Sequence, residues 1–287
     1  MNAPSRPSTF VGAKVAGSVV VGAVAGFLSG LFGVGGGILI VPGLVFLLGM
    51  DQRRAHGTSL AAIVPIAVAG VGGFVLDDAV DWPVAAAIVV GAVAGSMIGT
   101  TALQVIPQRG LRLAFVVFLL ATAARMVVAT SDAVGRGELD VPLVLGLIVL
   151  GVASGTLAGL LGVGGGIIIV PVLVALFSIP DAVAKGTSLV VIVPTAVSGT
   201  LRNVRNDNAD LRVAAVVGLA GVVSAFLGSQ IAVDMDPRTS GILFAVLLTL
   251  VAARMAFTAW RERGVEPSAN EASADDASAD EATPGRG

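Results

Sequence analysis

The stretch Gly26–Gly70 occurs twice. Shifted by 129 residues it falls on Gly155–Gly199 without a gap, and 27 of the 45 positions are identical. A repeat of this size constrains the fold before any element is assigned, because the chain must pack two versions of one unit against each other. The same offset continues through the body. Asp81 falls on Asp210, Arg109 on Arg238, and Ala123-Ala-Arg-Met126 on Ala252-Ala-Arg-Met255.

Each unit is apolar to a degree that excludes a water-soluble domain. Of the 287 residues 55% are hydrophobic and only 13% charged, with a mean hydropathy of +0.95. Soluble domains carry about 25% charged residues. These values rule out a cytosolic domain, a disordered chain and a nucleic-acid binder, and they indicate an all-α, polytopic membrane protein whose first partner is the lipid bilayer. There is no cysteine, so disulfides, thiolate metal sites and cysteine nucleophiles are excluded. No motif calls for a cofactor or a bound metal.

Apolar segments lie near 11–32, 37–50, 57–76, 82–106 and 111–130, and again near 141–161, 166–179, 186–201, 211–233 and 239–259. Eight can span. The segments 37–50 and 166–179 are only about 21 Å long as helices, short of the ~30 Å hydrocarbon core. They read as half-helices or parts of broken pairs. Lys14 and the run behind it loosely fit a signal peptide, but the run continues into the repeated motif and is read as a retained helix. The organisation is therefore an N-terminal tail 1–10, a first membrane repeat 11–130, a second repeat 140–260 and a tail 261–287.

Five segments per unit is an odd number, so the second repeat enters the membrane upside down. The charges agree. Arg53, Arg54, Arg109, Arg112, Arg202, Arg205, Arg212, Arg261 and Arg263 all fall on one side of a ten-segment layout, with both termini cytoplasmic. An eight-segment layout with two re-entrant elements and parallel repeats fits the charges less well. The net charge of −2 comes from the tail. Residues 264–287 hold six acids and one base, which leaves the body at +3, and the tail reads as solvated and disordered.

Four glycines in five residues, Gly33-Val-Gly35-Gly36-Gly37, recur as Gly162-Val-Gly164-Gly165-Gly166. Each glycine costs a helix about 1 kcal/mol relative to alanine. Broken backbone is tolerated at membrane depth only where protein or water satisfies it. Both runs open a short helix, whose first N–H groups attract anions. They are the candidate substrate-binding elements, with close helix packing as the alternative. Packing is the better account of the glycines spaced by four, namely Gly22, Gly26 and Gly30, Gly91, Gly95 and Gly99, and Gly151, Gly155 and Gly159. Thr58-Ser59 and Thr187-Ser188 open the third segment of each copy, behind His56 and Lys185 respectively. Hydroxyls at a helix start beside a cation suit an oxyanion, and equally suit N-capping. Pro42, Pro65, Pro171 and Pro194 sit inside apolar segments and predict kinks. Arg125 and Arg254 are equivalent, and either snorkel or gate an anion path. No acidic residue lies in the middle of an apolar segment, which favours an anionic substrate.

With the sequence Gly30-Leu-Phe-Gly-Val-Gly-Gly-Gly37, Val41-Pro42 and Gly57-Thr-Ser59, and their copies at Gly159–Gly166, Val170-Pro171 and Gly186-Thr-Ser188, the chain resembles the sulfite exporter TauE/SafE family of membrane transporters. Asp81-Trp82 and Asn208-Ala-Asp-Leu-Arg212 resemble that family's polar loops. The resemblance covers roughly residues 14–260, and implies secondary transport of small sulfur-containing anions such as sulfite or sulfonates. The acidic tail is not part of the pattern. A small-anion channel is the rival reading. An intramembrane enzyme is poorly served by one histidine and no cysteine. Anion, direction, coupling ion and oligomeric state stay open at this level.

Overall fold

A computed structural model describes residues 8–102, 108–128, 140–161 and 165–261. Among these the chain forms ten α-helices and no strand. They are α1 (Ser8–Phe32), α2 (Gly37–Leu48), α3 (Gln52–Leu76), α4 (Trp82–Ala102), α5 (Gln108–Val128), α6 (Val141–Leu161), α7 (Gly166–Phe177), α8 (Asp181–Arg205), α9 (Leu211–Asp234) and α10 (Pro237–Arg261). Six of them, α1, α3, α6, α8, α9 and α10, are long and apolar enough over their described residues to cross a membrane. Helices α4 and α5 add 21 residues each, or about 32 Å. The outer face of the bundle carries Phe46, Leu76, Val90, Val149, Leu219 and Leu250, all exposed, which is a surface for lipid rather than water. The protein is a polytopic helical membrane protein. As expected, α2 and α7 are short, at 12 residues each, and reach only about 18 Å.

Two helix starts differ from expectation. Helix α3 begins at Gln52 and α8 at Asp181, five residues before the apolar runs at 57 and 186. The reason is local. Asp51 caps α3, its carboxylate accepting from the backbone N–H of Arg53 at 3.0 Å and of Arg54 at 3.4 Å. The polar turn behind it is thereby held helical. Pro180 occupies the equivalent position before α8 with φ −53°, a value its ring presets.

The second repeat runs opposite to the first. Gly57 near the start of α3 lies against Asn203 in the last turn of α8 and Asn208 just beyond it, while Gly186 near the start of α8 lies against Phe74 in the last turn of α3 and Ala79 just beyond it. Equivalent helices are therefore antiparallel, which defines an inverted repeat. The two repeats also interlock. Helix α1 packs along α9 of the other copy, and α6 packs along α4. In the first pair Gly22, Gly26 and Gly30 face Val217, Gly221 and Ala225 in parallel register. In the second, Gly91 and Gly95 face Ile148 and Val152, and Gly151 and Gly155 face Ile88 and Ala92. At each of these glycines an added methyl would collide with a backbone carbonyl of the partner helix. The spaced glycines serve packing, as small residues do between membrane helices. The contacts of Gly99 and Gly159 lie outside the described residues.

One face of the bundle carries the starts of α3 and α9, joined by the Arg54–Asp210 contact at 3.4 Å. Because α1 runs parallel to α9, it starts there too, and α10 ends there. The opposite face carries the starts of α4, α8 and α10.

Candidate functional site

Helix α1 stops at Phe32 because the next residues cannot continue it. Gly33, Gly35 and Gly36 have φ of +69°, +81° and +73°, where an L side chain costs roughly 1–2 kcal/mol. Gly36 is the N-cap of α2, and Gly165, at φ +75°, is the N-cap of α7. The same glycine therefore breaks each repeat. Gly162 and Gly164 lie outside the described residues.

The breaks converge on the pseudo-twofold axis. A Cβ on Gly35 would sit 3.2 Å from Ile192 and 3.5 Å from Ile63. These two isoleucines are equivalent by the repeat, and each is the twelfth residue of a 25-residue helix, so the contact is halfway through the bundle. Gly166 meets the carbonyl of Gly33, a Cβ there falling 2.6 Å from the oxygen. Described parts of the two clusters thus touch near the midplane. Helices α2 and α7 both begin there with positive dipole ends, and the N–H groups of Gly37 and Ile38, and of Gly166 and Ile167, precede the first helical bonds, which Leu39 and Ile168 make to the cap carbonyls at 3.0 Å and 3.1 Å. The segment 31–37 is buried.

The Gly-Thr-Ser triplets divide their labour. In each, the glycine lets a loop approach: a methyl on Gly57 would strike the carbonyl of Asn208, and one on Gly186 that of Ala79. The threonine then holds that loop. Thr58 Oγ1 accepts from the N–H of Asp210 at 2.9 Å, and Thr187 Oγ1 accepts from the N–H of Asp81 at 2.9 Å. Asp210 caps α9 through Arg212 and Val213, and Asp81 accepts from Val84 at the start of α4 at 3.2 Å. The threonines lie in the second turn of α3 and α8, so neither they nor the serines cap those helices. The serines face inward. Ser188 Oγ donates to the carbonyl of Gly33 at 2.8 Å. Its counterpart Ser59 is fully buried, with no hydrogen-bond partner for its hydroxyl.

One cluster joins residues that the sequence analysis does not bring together. Lys185 is fully enclosed, ion-paired to Asp181 Oδ2 at 2.7 Å and donating to Ser240 Oγ at 2.5 Å, while Ser240 Oγ donates to the same Asp181 oxygen at 2.6 Å. The signal was present as the i, i+4 spacing of Asp181 and Lys185, but it falls on the turn read as loop. The backbone of Lys185 is also what Gly33 packs against.

Pro42, Pro65, Pro171 and Pro194 all lie inside helices, in α2, α3, α7 and α8. Arg125 and Arg254 sit away from the centre, near the far ends of the short helices. Arg125 donates to the carbonyl of Ala175 in the last turn of α7 at 2.6 Å, one of the carbonyls a helix end leaves open. The Arg254 guanidinium lies 6.0 Å from the ring centre of Phe46 in α2, within cation–π range.

Comparison with known proteins agrees with this architecture. The family model described as "Sulfite exporter TauE/SafE" matches residues 3–126 and 147–284. A Bacillus subtilis (strain 168) protein described as "Probable membrane transporter protein YunE" is 25% identical over 262 residues, covering 83% of this chain and 96% of that protein. "Probable membrane transporter protein MJ0441" of Methanocaldococcus jannaschii is 26% identical over 245 residues, covering 80% and 91%. A Haemophilus influenzae "Probable membrane transporter protein" is 33% identical over 172 residues, covering 55% and 61%. The two matched segments correspond to the two inverted repeats, and the chain belongs to the sulfite exporter TauE/SafE family.

Proposed function

We propose that the protein is a secondary transporter that moves small anions across the cell membrane, sulfur-containing ones such as sulfite or sulfonates first among them. It acts as a carrier and not as an enzyme. One observation carries the reading: the inverted repeats meet halfway through the bundle at paired breaks, where α2 and α7 begin. Duplicated transporters build substrate sites from discontinuous helices at such interfaces, with half-helix N-termini directed at anionic groups. The site comprises Gly33, Gly35, Gly36 and Gly37 with Ser59, and Gly162, Gly164, Gly165 and Gly166 with Ser188. The unpartnered hydroxyl of Ser59 is a donor without an assignment in the protein itself. Thr58 and Thr187 belong to the site as anchors of its walls. Arg125 and Arg254 act as clamps on the outer ends of the short helices. Both termini are cytoplasmic, since that orientation puts Arg53, Arg54, Arg202, Arg205 and Arg212 inside.

The test is counterflow in vesicles holding the purified protein. Labelled sulfite or sulfoacetate outside should enter faster when unlabelled anion is inside. A flux that ignores the trans anion would make the protein a channel. Absence of flux for both anions, with folded protein present, would remove the sulfur-anion assignment.

A further inference from the structure

Lys185 and Asp181 are a buried ion pair in a protein whose other described charges are exposed or partly exposed. Their side chains are 0% and 10% exposed. Removing two charges from water costs several kcal/mol per ion, which pairing offsets only when the remaining polar positions are satisfied. Here they are not. Asp181 Oδ2 receives both Lys185 and Ser240, while Asp181 Oδ1 is buried with no hydrogen-bond partner. A bare carboxylate oxygen beside a fully used one is an unfilled position for a hydrogen.

The pair also breaks the symmetry of the fold. At the equivalent positions of the first repeat stand Gln52, His56 and Leu111. A structural requirement shared by both repeats would call for the cluster twice. A task performed at one face alone calls for it once.

Resting on the reading of the protein as an anion carrier, we infer that Asp181, Lys185 and Ser240 form a proton site that couples anion movement to the proton gradient. In the closed state Asp181 is a carboxylate and neutralises Lys185. When a proton reaches Asp181 Oδ1, the carboxylate becomes a carboxylic acid and the Lys185 ammonium loses its counter-charge. The arriving anion supplies it. Lys185 shares its backbone with the wall against which Gly33 packs, so release of the pair is felt where α1 breaks. On the far side the anion departs, the Asp181 O–H bond breaks, the proton leaves along the path opened at Gly33, and the ion pair re-forms. One proton accompanies each anion.

Other titratable or charged groups surround this end of the bundle on the elements packed against α8. They are Asp77 and Asp78 after α3, Asp81 before α4, Asp140 before α6, Asp234 at the end of α9, and Asp236 and Arg238 at the start of α10. Asp77 accepts from Gln230 at 3.2 Å, Asp140 from the N–H of Leu143 at 3.0 Å, Asp236 from Thr239 at 3.1 Å, and Asp81 caps α4. They lie at an exposed or half-exposed rim, whereas Asp181 and Lys185 are enclosed.

The probe is labelled sulfoacetate, whose charge is constant across the neutral range, so that any proton movement belongs to the protein. In vesicles with the membrane potential clamped at zero and a gradient of one pH unit, wild type should accumulate the anion about tenfold if one proton moves with each. An internal pH dye should record matching proton entry. Asp181→Asn should keep counterflow exchange but lose accumulation, with an internal-to-external ratio of about one. Lys185→Met should lose both. The dye measurement needs no variant, so a poorly folding Asp181→Asn does not rescue the inference. Wild-type accumulation without proton entry would overturn it, as would Asp181→Asn that still accumulates tenfold. Loss of exchange and accumulation in equal proportion would reduce the pair to a structural one. Absence of sulfoacetate exchange by wild type would instead reject this anion as substrate, and sulfite counterflow accompanied by no proton entry beyond that of bisulfite itself would then overturn the coupling.

Discussion

Two adjacent hydroxyls should give opposite results when removed, and that contrast tests the reading of the Gly-Thr-Ser triplet. Thr187→Val keeps the shape of the side chain and deletes the oxygen that accepts from the N–H of Asp81 at 2.9 Å. A half-buried N–H is left without its acceptor, which costs roughly 1–3 kcal/mol. Asp81 also caps α4, so part of a cap worth about 0.5–2 kcal/mol is loosened with it. The larger effect sets the scale, and the unfolding temperature should fall by several degrees, at roughly 2–4 °C per kcal/mol. Transport per folded molecule should change little.

Ser59→Ala deletes a fully buried hydroxyl that has no partner. Removing an unsatisfied buried polar group is neutral or stabilising, so the unfolding temperature should hold or rise. If that hydroxyl donates to the anion, transport should fall about tenfold for a contact of ~1.4 kcal/mol. The assay is thermal unfolding in detergent alongside counterflow normalised to folded protein. The reasoning is refuted if Thr187→Val abolishes transport without loss of stability, or if Ser59→Ala destabilises while transport is untouched.

Gly36→Asp and Gly36→Asn both tolerate a left-handed backbone better than other residues, and both meet the Ala25 carbonyl with a Cβ at 2.8 Å. In counterflow Asp should be about tenfold worse than Asn if charge at this break matters; equal loss would leave shape alone. Gly26→Leu should prevent assembly of a folded protein, read as loss of the monodisperse peak, because Gly26 lies against the backbone of Gly221. Single cysteines at Ser5 and Ser273 should both escape an impermeant thiol reagent in intact cells, and labelling of either would reverse or discard the orientation.

The repeat, the odd segment count and the half-length of α2 and α7 were legible because each rests on counting apolar residues against a fixed length. The packing role of Gly22, Gly26 and Gly30 was legible because spacing by four defines one helix face. The helix starts were not. Residues 52–56 are polar, and only the Asp51 cap makes them helical. That misplacement had a consequence. Thr58 was set at a helix end, where a hydroxyl caps or binds an anion, when its partner is Asp210, 152 residues away. A contact of that range leaves no local trace. The Asp181–Lys185–Ser240 cluster was missed for the same reason, since Ser240 comes from a different helix.

The interlocking of the repeats decides which parts can move against each other. Transport by inverted repeats is commonly a rocking of one bundle against another around a fixed site, but here the repeats themselves cannot be the moving bodies. Helix α1 lies backbone to backbone on α9 of the other copy, and α6 on α4. Close-packed contacts of this kind are bistable at most and do not slide continuously. The rigid bodies are therefore mixed. One contains α1 and α9 with α3, and the other α6 and α4 with α8, and they meet where α3 crosses α8 beside Ile63 and Ile192. Two cross-links separate this from motion of whole repeats. A short thiol linker between Asp77→Cys and Gln230→Cys joins α3 to α9, whose native side chains are 3.2 Å apart, and should leave counterflow intact. A disulfide between Leu60→Cys and Gly199→Cys joins α3 to α8, where a Cβ on Gly199 lies 2.9 Å from the Leu60 side chain. It should arrest counterflow until reduced. Arrest by the first cross-link and tolerance of the second would mean that the repeats move as units after all, and that the glycine contacts between them open during transport.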